Sequence, residues 1–298
     1  MAKRIVKVID LVPGRNVELP SIENETLGHD RFWRDFVCAQ QPVVIRHAVP
    51  NWPALKKWGT PGYLEALTNR EVGVSDTFNA SPAGLWHQNL PKYRLDEAIA
   101  RLRNATPEDT LAIRALPIPP EWKADLGSYD FLGANRDLPP RVYARDRLFI
   151  YRNASTEWHY HTTDETLTTQ ILGSKRISMF RLSNEDWHAY AGPIRSNLHH
   201  MEERARFFPA DASLMKFEAT LEPGDVLYIP PFWWHGVDPA DTGFGITLAH
   251  CFRTPLNRLG SLSDPAVRDV IRAQGSLALA LRMRAFVALG SLSRIVNP

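Results

Sequence analysis

The segment Thr156-Glu-Trp-His-Tyr-His-Thr-Thr-Asp-Glu165 sets two imidazoles, His159 and His161, one residue apart, with the carboxylates of Asp164 and Glu165 close behind. On a strand, residues i and i+2 point to one face, so both rings would look into the same space, and Glu165 shares their parity. Further along, Gly224-Asp-Val-Leu-Tyr-Ile-Pro-Pro-Phe-Trp-Trp-His235 presents a third histidine after an apolar run and a proline turn, where closure of a barrel would bring it opposite the first two. Neutral imidazoles with one carboxylate on rigid strands suit a first-row divalent metal that keeps coordination positions open for substrate or oxygen. His188, His199 and His200 fall in a helical or loop stretch with no partner at metal-ligand spacing, and are read as lying outside such a site.

These side chains need a frame. After Arg141 the chain alternates apolar and polar residues in short runs (RLFIYRN, EWHYHTT, TLTTQIL, KRISMFRL, DVLYIPP, GITLAHCF) separated by Gly, Asn, Asp and Pro, the texture of an antiparallel barrel. Residues 141–255 are therefore expected to form the barrel core of a mainly β protein with α+β decorations. Residues 1–140 read as a mixed α/β cover. They hold a helix over Leu27 to Val37 that feeds a buried strand in QQPVVIRH, a helix from about Pro61, a strand over 70–78, and an amphipathic segment Leu95 to Leu102. Residues 104–141, rich in Pro, Asp and Gly, read as an irregular connector whose Trp122, Tyr129, Phe131 and Leu132 must be buried. Residues 256–298 read as helical, with Asp264 as cap and Pro265 in the first position.

Composition narrows the function. The 298 residues are 44% hydrophobic and 23% charged, inside the globular range. Thirty-five Lys and Arg against 33 Asp and Glu leave +2 without long basic runs, which argues against nucleic acid held by bulk charge. Two cysteines far apart, Cys38 and Cys251, offer neither a disulfide framework nor a Cys-based zinc site, so a cytoplasmic protein is expected. The charged start MAKRIVKVIDLV contains no signal-peptide core, and Arg282 and Arg284 interrupt the most apolar late stretch, so no membrane segment is expected.

The strings Thr156-Glu-Trp-His159, Gly173-Ser-Lys175-Arg176 and Gly224-Asp-Val-Leu-Tyr-Ile-Pro-Pro-Phe-Trp-Trp-His235 resemble those of the JmjC and cupin-like iron(II), 2-oxoglutarate-dependent oxygenases, especially small hydroxylases related to the asparaginyl hydroxylase of the hypoxia response. Upstream, Phe36-Val-Cys-Ala-Gln-Gln-Pro-Val-Val-Ile-Arg and Asn51-Trp-Pro-Ala-Leu with Trp58 are also similar to that family, so the resemblance covers most of residues 30 to 253. It implies a double-stranded β-helix, a jelly-roll barrel, with an amino-terminal α/β cover. It implies that His159 and His235 bind Fe(II), and that Lys175, helped by the Thr156 hydroxyl, holds the distal carboxylate of 2-oxoglutarate. Trp233, Ala249 and Cys251 would line the pocket, with Ala249 and Cys251 standing where such hydroxylases commonly have Asn and Trp; the pocket should be roomier there.

The sequence also departs from the family. His161 stands where the family has Asp or Glu, and the stretch from His159 to Gly173 is one residue longer. Three arrangements follow: three histidine ligands with Glu165 as a fourth; a bulge that lets Asp164 or Glu165 restore a two-histidine, one-carboxylate set; or a barrel that binds without iron. The corresponding functions are a 2-oxoglutarate-dependent hydroxylase acting on a peptide side chain or small metabolite, a three-histidine dioxygenase or isomerase that does not use 2-oxoglutarate, and a non-catalytic binding module. Apolar residues on nearly every face of the carboxy-terminal helices suggest a homodimer, and the resemblance points the same way.

Overall fold

A computed structural model of the chain describes residues 7–66, 70–75, 90–211, 214–241, 243–255 and 258–296. The first elements are β1 (Arg15–Glu18), β2 (Ser21–Glu23), α1 (His29–Phe32) continued by a π-helical turn over Trp33–Val37, β3 (Val43–Arg46) and α2 (Ala54–Lys57). Next come β4 (Glu71–Gly73), β5 (Lys92–Arg94), α3 (Leu95–Asn104) and β6 (Leu111–Pro117). The middle of the chain runs through β7 (Asp146–Arg152), β8 (Thr156–His159), β9 (Asp164–Leu172), β10 (Lys175–Phe180), α4 (Asn184–Arg195), β11 (Met215–Leu221), β12 (Val226–Ile229), β13 (Trp234–Pro239) and β14 (Phe244–Arg253). Helices α5 (Pro265–Arg272) and α6 (Leu277–Val296) follow.

The strands β7 to β14 form the expected jelly roll: β11-β10-β13-β8 face β12-β9-β14-β7. The leading segment joins both sheets. Strand β1 pairs in parallel with β11, β2 and β3 extend the second sheet beyond β12, and β6 extends it beyond β7, which gives sheets of five and seven strands. Between the sheets the interior divides in two. One end is closed by an apolar cluster of Leu19, Val44, Met179, Leu221, Leu227 and Trp233. The other end stays open as a cavity of about 260 Å³. The outer face of the seven-stranded sheet is covered by the leading helices, where α3 turns Leu95, Ala98, Ile99 and Leu102 inward at helical spacing. The outer face of the five-stranded sheet is covered by α4, whose cap Ser183 accepts from the Asp186 amide.

Several expectations change. The helix expected from Pro61 is a run of turns, and residues 76–78 of the expected strand lie outside the described residues. The connector 104–141 contains β6, a seven-residue strand. Its pattern was obscured because a bulge between Ile113 and Leu116, with Ala115 at φ 49°, breaks the alternation. The expected cap holds: Asp264 accepts from the Ala266 amide at 2.8 Å with Pro265 behind it. Among the described residues no helix is long and apolar enough to cross a membrane.

Candidate metal centre

His159 ends β8 and His235 lies near the start of β13, and the two are direct partners in the antiparallel ladder. A bulge between this pair and Val237–Thr156 sets two residues of β8, Glu157 and Trp158, against one of β13, Gly236, so Thr156 and His159, though three apart, both face the cavity. The ladder stops at His159, yet the alternation runs one step further. Tyr160 turns outward against Phe232 and Trp234, and His161 turns in, held by a bond from the Phe232 amide to its carbonyl. The ring centroids lie 4.1 Å apart for His159 and His235, 4.9 Å for His161 and His235, and 5.3 Å for His159 and His161. One ring nitrogen of each lies within 4.8 Å of the others.

Each ring is oriented through Nδ1. That of His159 lies 2.8 Å from the Glu157 carbonyl, that of His235 is 3.0 Å from the Trp233 carbonyl, and that of His161 is 2.8 Å from Thr166 Oγ1. A carbonyl can only accept, so Nδ1 of His159 and His235 carries the proton and Nε2 keeps its lone pair. Burial holds all three imidazoles below their ordinary pKa, well below for His161 and His235, whose rings also repel neighbouring positive charge. They are therefore neutral at pH 7, the form that ligates metal, and the donor set fits a divalent ion.

The two carboxylates are directed elsewhere. Bends at Thr162 and Thr163 end the first run and start β9 in the opposite sheet, which resets the parity on which Glu165 was assigned. In β9 Thr166 and Thr168 face the cavity, while Glu165 and Leu167 face away from it. Glu165 accepts from Tyr228 Oη at 2.7 Å, and burial raises its pKa to about 8. Asp164 accepts from the amides of Arg141, Val142 and Tyr143 and serves as a clamp on the loop before β7. Neither belongs to the histidine cluster.

Lys175 opens β10 and, with Thr156, lines the cavity. Its ammonium lies 4.0 Å from the centre of the Tyr151 ring, and burial alone lowers its pKa to about 7. Among the described residues no carboxylate pairs with it. Tyr151 Oη accepts from Gln170, which in turn accepts from Thr247, another cavity residue. Ala249 lines the cavity. Cys251 sits one layer behind, with its sulfur 3.2 Å from an Arg147 nitrogen and 3.6 Å from Thr166 Oγ1. Trp233 is not in the lining either; its indole donates to the Gln40 carbonyl and packs edge-on to Phe217 in the apolar plug. The reason lies just before it, at Phe232, whose φ of 64° turns the chain between the proline pair and β13.

Sequence reasoning missed Arg114, Tyr143, Arg147, Thr166, Thr168 and Thr247 in the lining. Thr166, Thr168 and Thr247 were readable from strand parity. Arg114 was not, because the bulge in β6 re-aims it. With Lys175, the cavity holds three cationic side chains, and no carboxylate is among its described lining residues.

Residues 29–257 match the model of the cupin-like domain. The chain belongs to the cupin-like domain family. It is similar to the lysine-specific demethylase JMJ30 of Arabidopsis thaliana, 26% identical over 77% of this chain and 54% of that protein. It is also similar to Jumonji C domain-containing protein 5 of Drosophila melanogaster, 27% identical over 78% of this chain and 59% of the relative. The human tRNA wybutosine-synthesizing protein 5 is 26% identical over 79% of this chain and 78% of its own length. Against the first two, the chain spans little more than half of the relative's length. These JmjC-type relatives and the jelly roll agree with the resemblance drawn from the motifs.

Proposed function

We propose that this chain is a cytoplasmic non-haem iron(II) oxygenase that takes 2-oxoglutarate as cosubstrate and oxidises a peptide side chain or small metabolite. One observation supports it above the others: a buried ammonium, Lys175, with no carboxylate partner among the described residues, lines the cavity into which His159, His161 and His235 converge. An unpaired buried charge is costly, so the cavity is suited to a small anion reaching from Lys175 towards the histidines. His159, His161 and His235 would hold the iron through Nε2. The Lys175 ammonium and Thr156 hydroxyl would donate to the distal carboxylate of 2-oxoglutarate. When bound, the iron supplies oxygen activation coupled to oxidative decarboxylation of the cosubstrate. The protein's part is orientation: Thr166 and the Glu157 and Trp233 carbonyls fix the rings, and Tyr151 supports the ammonium from beneath.

The names of the relatives divide between protein lysine and tRNA, and the near-neutral charge of this chain favours a peptide or small metabolite over RNA. A second reading is supported by the third imidazole: a three-histidine dioxygenase that needs no 2-oxoglutarate. Oxygen uptake by the iron(II)-loaded protein separates the two. Uptake that requires 2-oxoglutarate and yields succinate is the expected result. Uptake independent of it would move the second reading ahead, and absence of both uptake and metal binding would leave a binding module.

A further inference from the structure

Outside the cavity, a second cluster gathers on the far side of β8. The bulge that turns Thr156 and His159 inward leaves Glu157 beside the short 3-10 turn Leu198–His200 that follows α4. This turn is set up by Asn197, whose φ of 55° reverses the chain, and it delivers His199 and His200 side by side with ring centres 4.3 Å apart. His199 Nε2 lies 3.1 Å from one Glu157 oxygen and His200 Nε2 lies 2.8 Å from the other. One donor atom from each of the three residues falls within 4.8 Å of the others.

Two details separate this cluster from an ordinary ion pair. At 2.8 Å, His200 Nε2 and Glu157 Oε1 face each other without hydrogen-bond geometry, and both atoms are buried without another partner. His199 is almost fully buried, with a side-chain exposure of 1%, and its Nδ1 also has no partner. Buried polar atoms of a native protein are ordinarily satisfied, and two orphans that face each other, His200 Nε2 and Glu157 Oε1, call for an ion that both can hold. Donors held about 2.0–2.2 Å from a tetrahedral zinc stand roughly 3–3.5 Å from one another; the His199–carboxylate separation of 3.1 Å falls in that range, and the 2.8 Å at His200 would widen slightly around an ion.

We propose that Glu157, His199 and His200 form a second divalent-cation site, with zinc as the probe, that fastens the turn after α4 to β8. The ion neutralises the carboxylate and takes one nitrogen lone pair from each imidazole. The half-buried side at His200 leaves room for water to complete the coordination. Because the Glu157 carbonyl accepts from His159 Nδ1, fixing Glu157 also fixes the group that orients His159.

The test counts zinc per full-length chain after saturation and removal of excess, by elemental analysis. The wild type should bind two equivalents, His200→Ala and His200→Gln one fewer than the wild type, and the double variant His159→Ala/His235→Ala one. That last protein should also gain thermal stability in zinc relative to chelator. If it binds no zinc, or if His200→Ala keeps the wild-type count, the second site is refuted and the cluster is an ion pair. His199→Ala removes a buried ring and so perturbs the packing of the turn as well as the donor set, which is why the more accessible His200 carries the test. Because the double variant lacks the first site, its count is independent of what binds there.

Discussion

Replacing His235 by Ala removes one of three converging donors and opens the space to water, so it should cost far more metal affinity than the ~10–100-fold typical of outer partners. His161→Asp should retain metal, because a carboxylate can supply the donor that His161 offers. Glu165→Gln should leave metal content unchanged, since that side chain accepts from Tyr228 and faces away from the cavity. Elemental analysis of the three variants checks the set; loss of metal in Glu165→Gln would return the carboxylate to the ligand sphere. A neutral third ligand also leaves the full charge of a divalent ion uncompensated, in a cavity that already holds Lys175, Arg114 and Arg147. Lys175 gives this a pH dependence. Its pKa is lowered to about 7 in the free protein, and a bound dianion must raise it, so binding above pH 7 takes up a proton. Affinity for 2-oxoglutarate should be nearly flat below that pH and fall by up to ~10-fold per unit above it. Calorimetry in buffers of different ionisation enthalpy reads the proton directly. Lys175→Ala should weaken binding by ~2–5 kcal/mol and abolish the proton uptake.

At the scale of elements, the support beneath Lys175 depends on one glycine. Gly245 in β14 is the ladder partner of Tyr151 in β7, and a Cβ there would overlap the Tyr151 ring. Gly245→Ala should therefore lower stability by ~1–3 kcal/mol through overpacking and also weaken 2-oxoglutarate binding by shifting the ring under the ammonium. Thermal unfolding and calorimetry on the variant and on Tyr151→Phe, which keeps the ring, separate the two effects. Strands marked by a clear apolar or alternating run were legible: β7, β9, β10, β12 and β14 fall where those runs place them. Strand β11 carries a weaker form of the same signal in Met215, Phe217, Ala219 and Leu221, diluted by the charged Lys216 and Glu218 between them. What alternation cannot show is a bulge. The one in β6 concealed a strand and Arg114, the one in β8 gave Thr156 and Glu157 their opposite surroundings, and the bends at Thr162 and Thr163 reversed the face of Glu165. The three histidines that converge stand out by residue type and spacing; Thr166, which orients one of them, has no such signature.

For the whole molecule, the carboxy-terminal helices remain to be placed. One face of α6 packs through Val287, Ala280 and Met283 against Ala266, Val267 and Ile271 of α5 and against Phe232 at the turn before β13. The other faces leave Leu277, Leu279, Leu281, Phe286, Leu289 and Leu292 exposed. A helix apolar on every side is ordinarily buried on every side, and the lid alternative, in which α6 folds wholly over the barrel, would have hidden these side chains. We propose that a second copy of the chain covers them: α6 paired with its own symmetry mate would bury the same row from both partners in one isologous interface. The mass from light scattering should then be that of a dimer at micromolar concentration. Phe286→Glu with Leu289→Glu should yield a monomer whose metal content is unchanged, since neither residue reaches the cavity. A wild-type protein that stays monomeric up to high concentration would rule the dimer out, and a double variant that remains dimeric would move the interface away from α6.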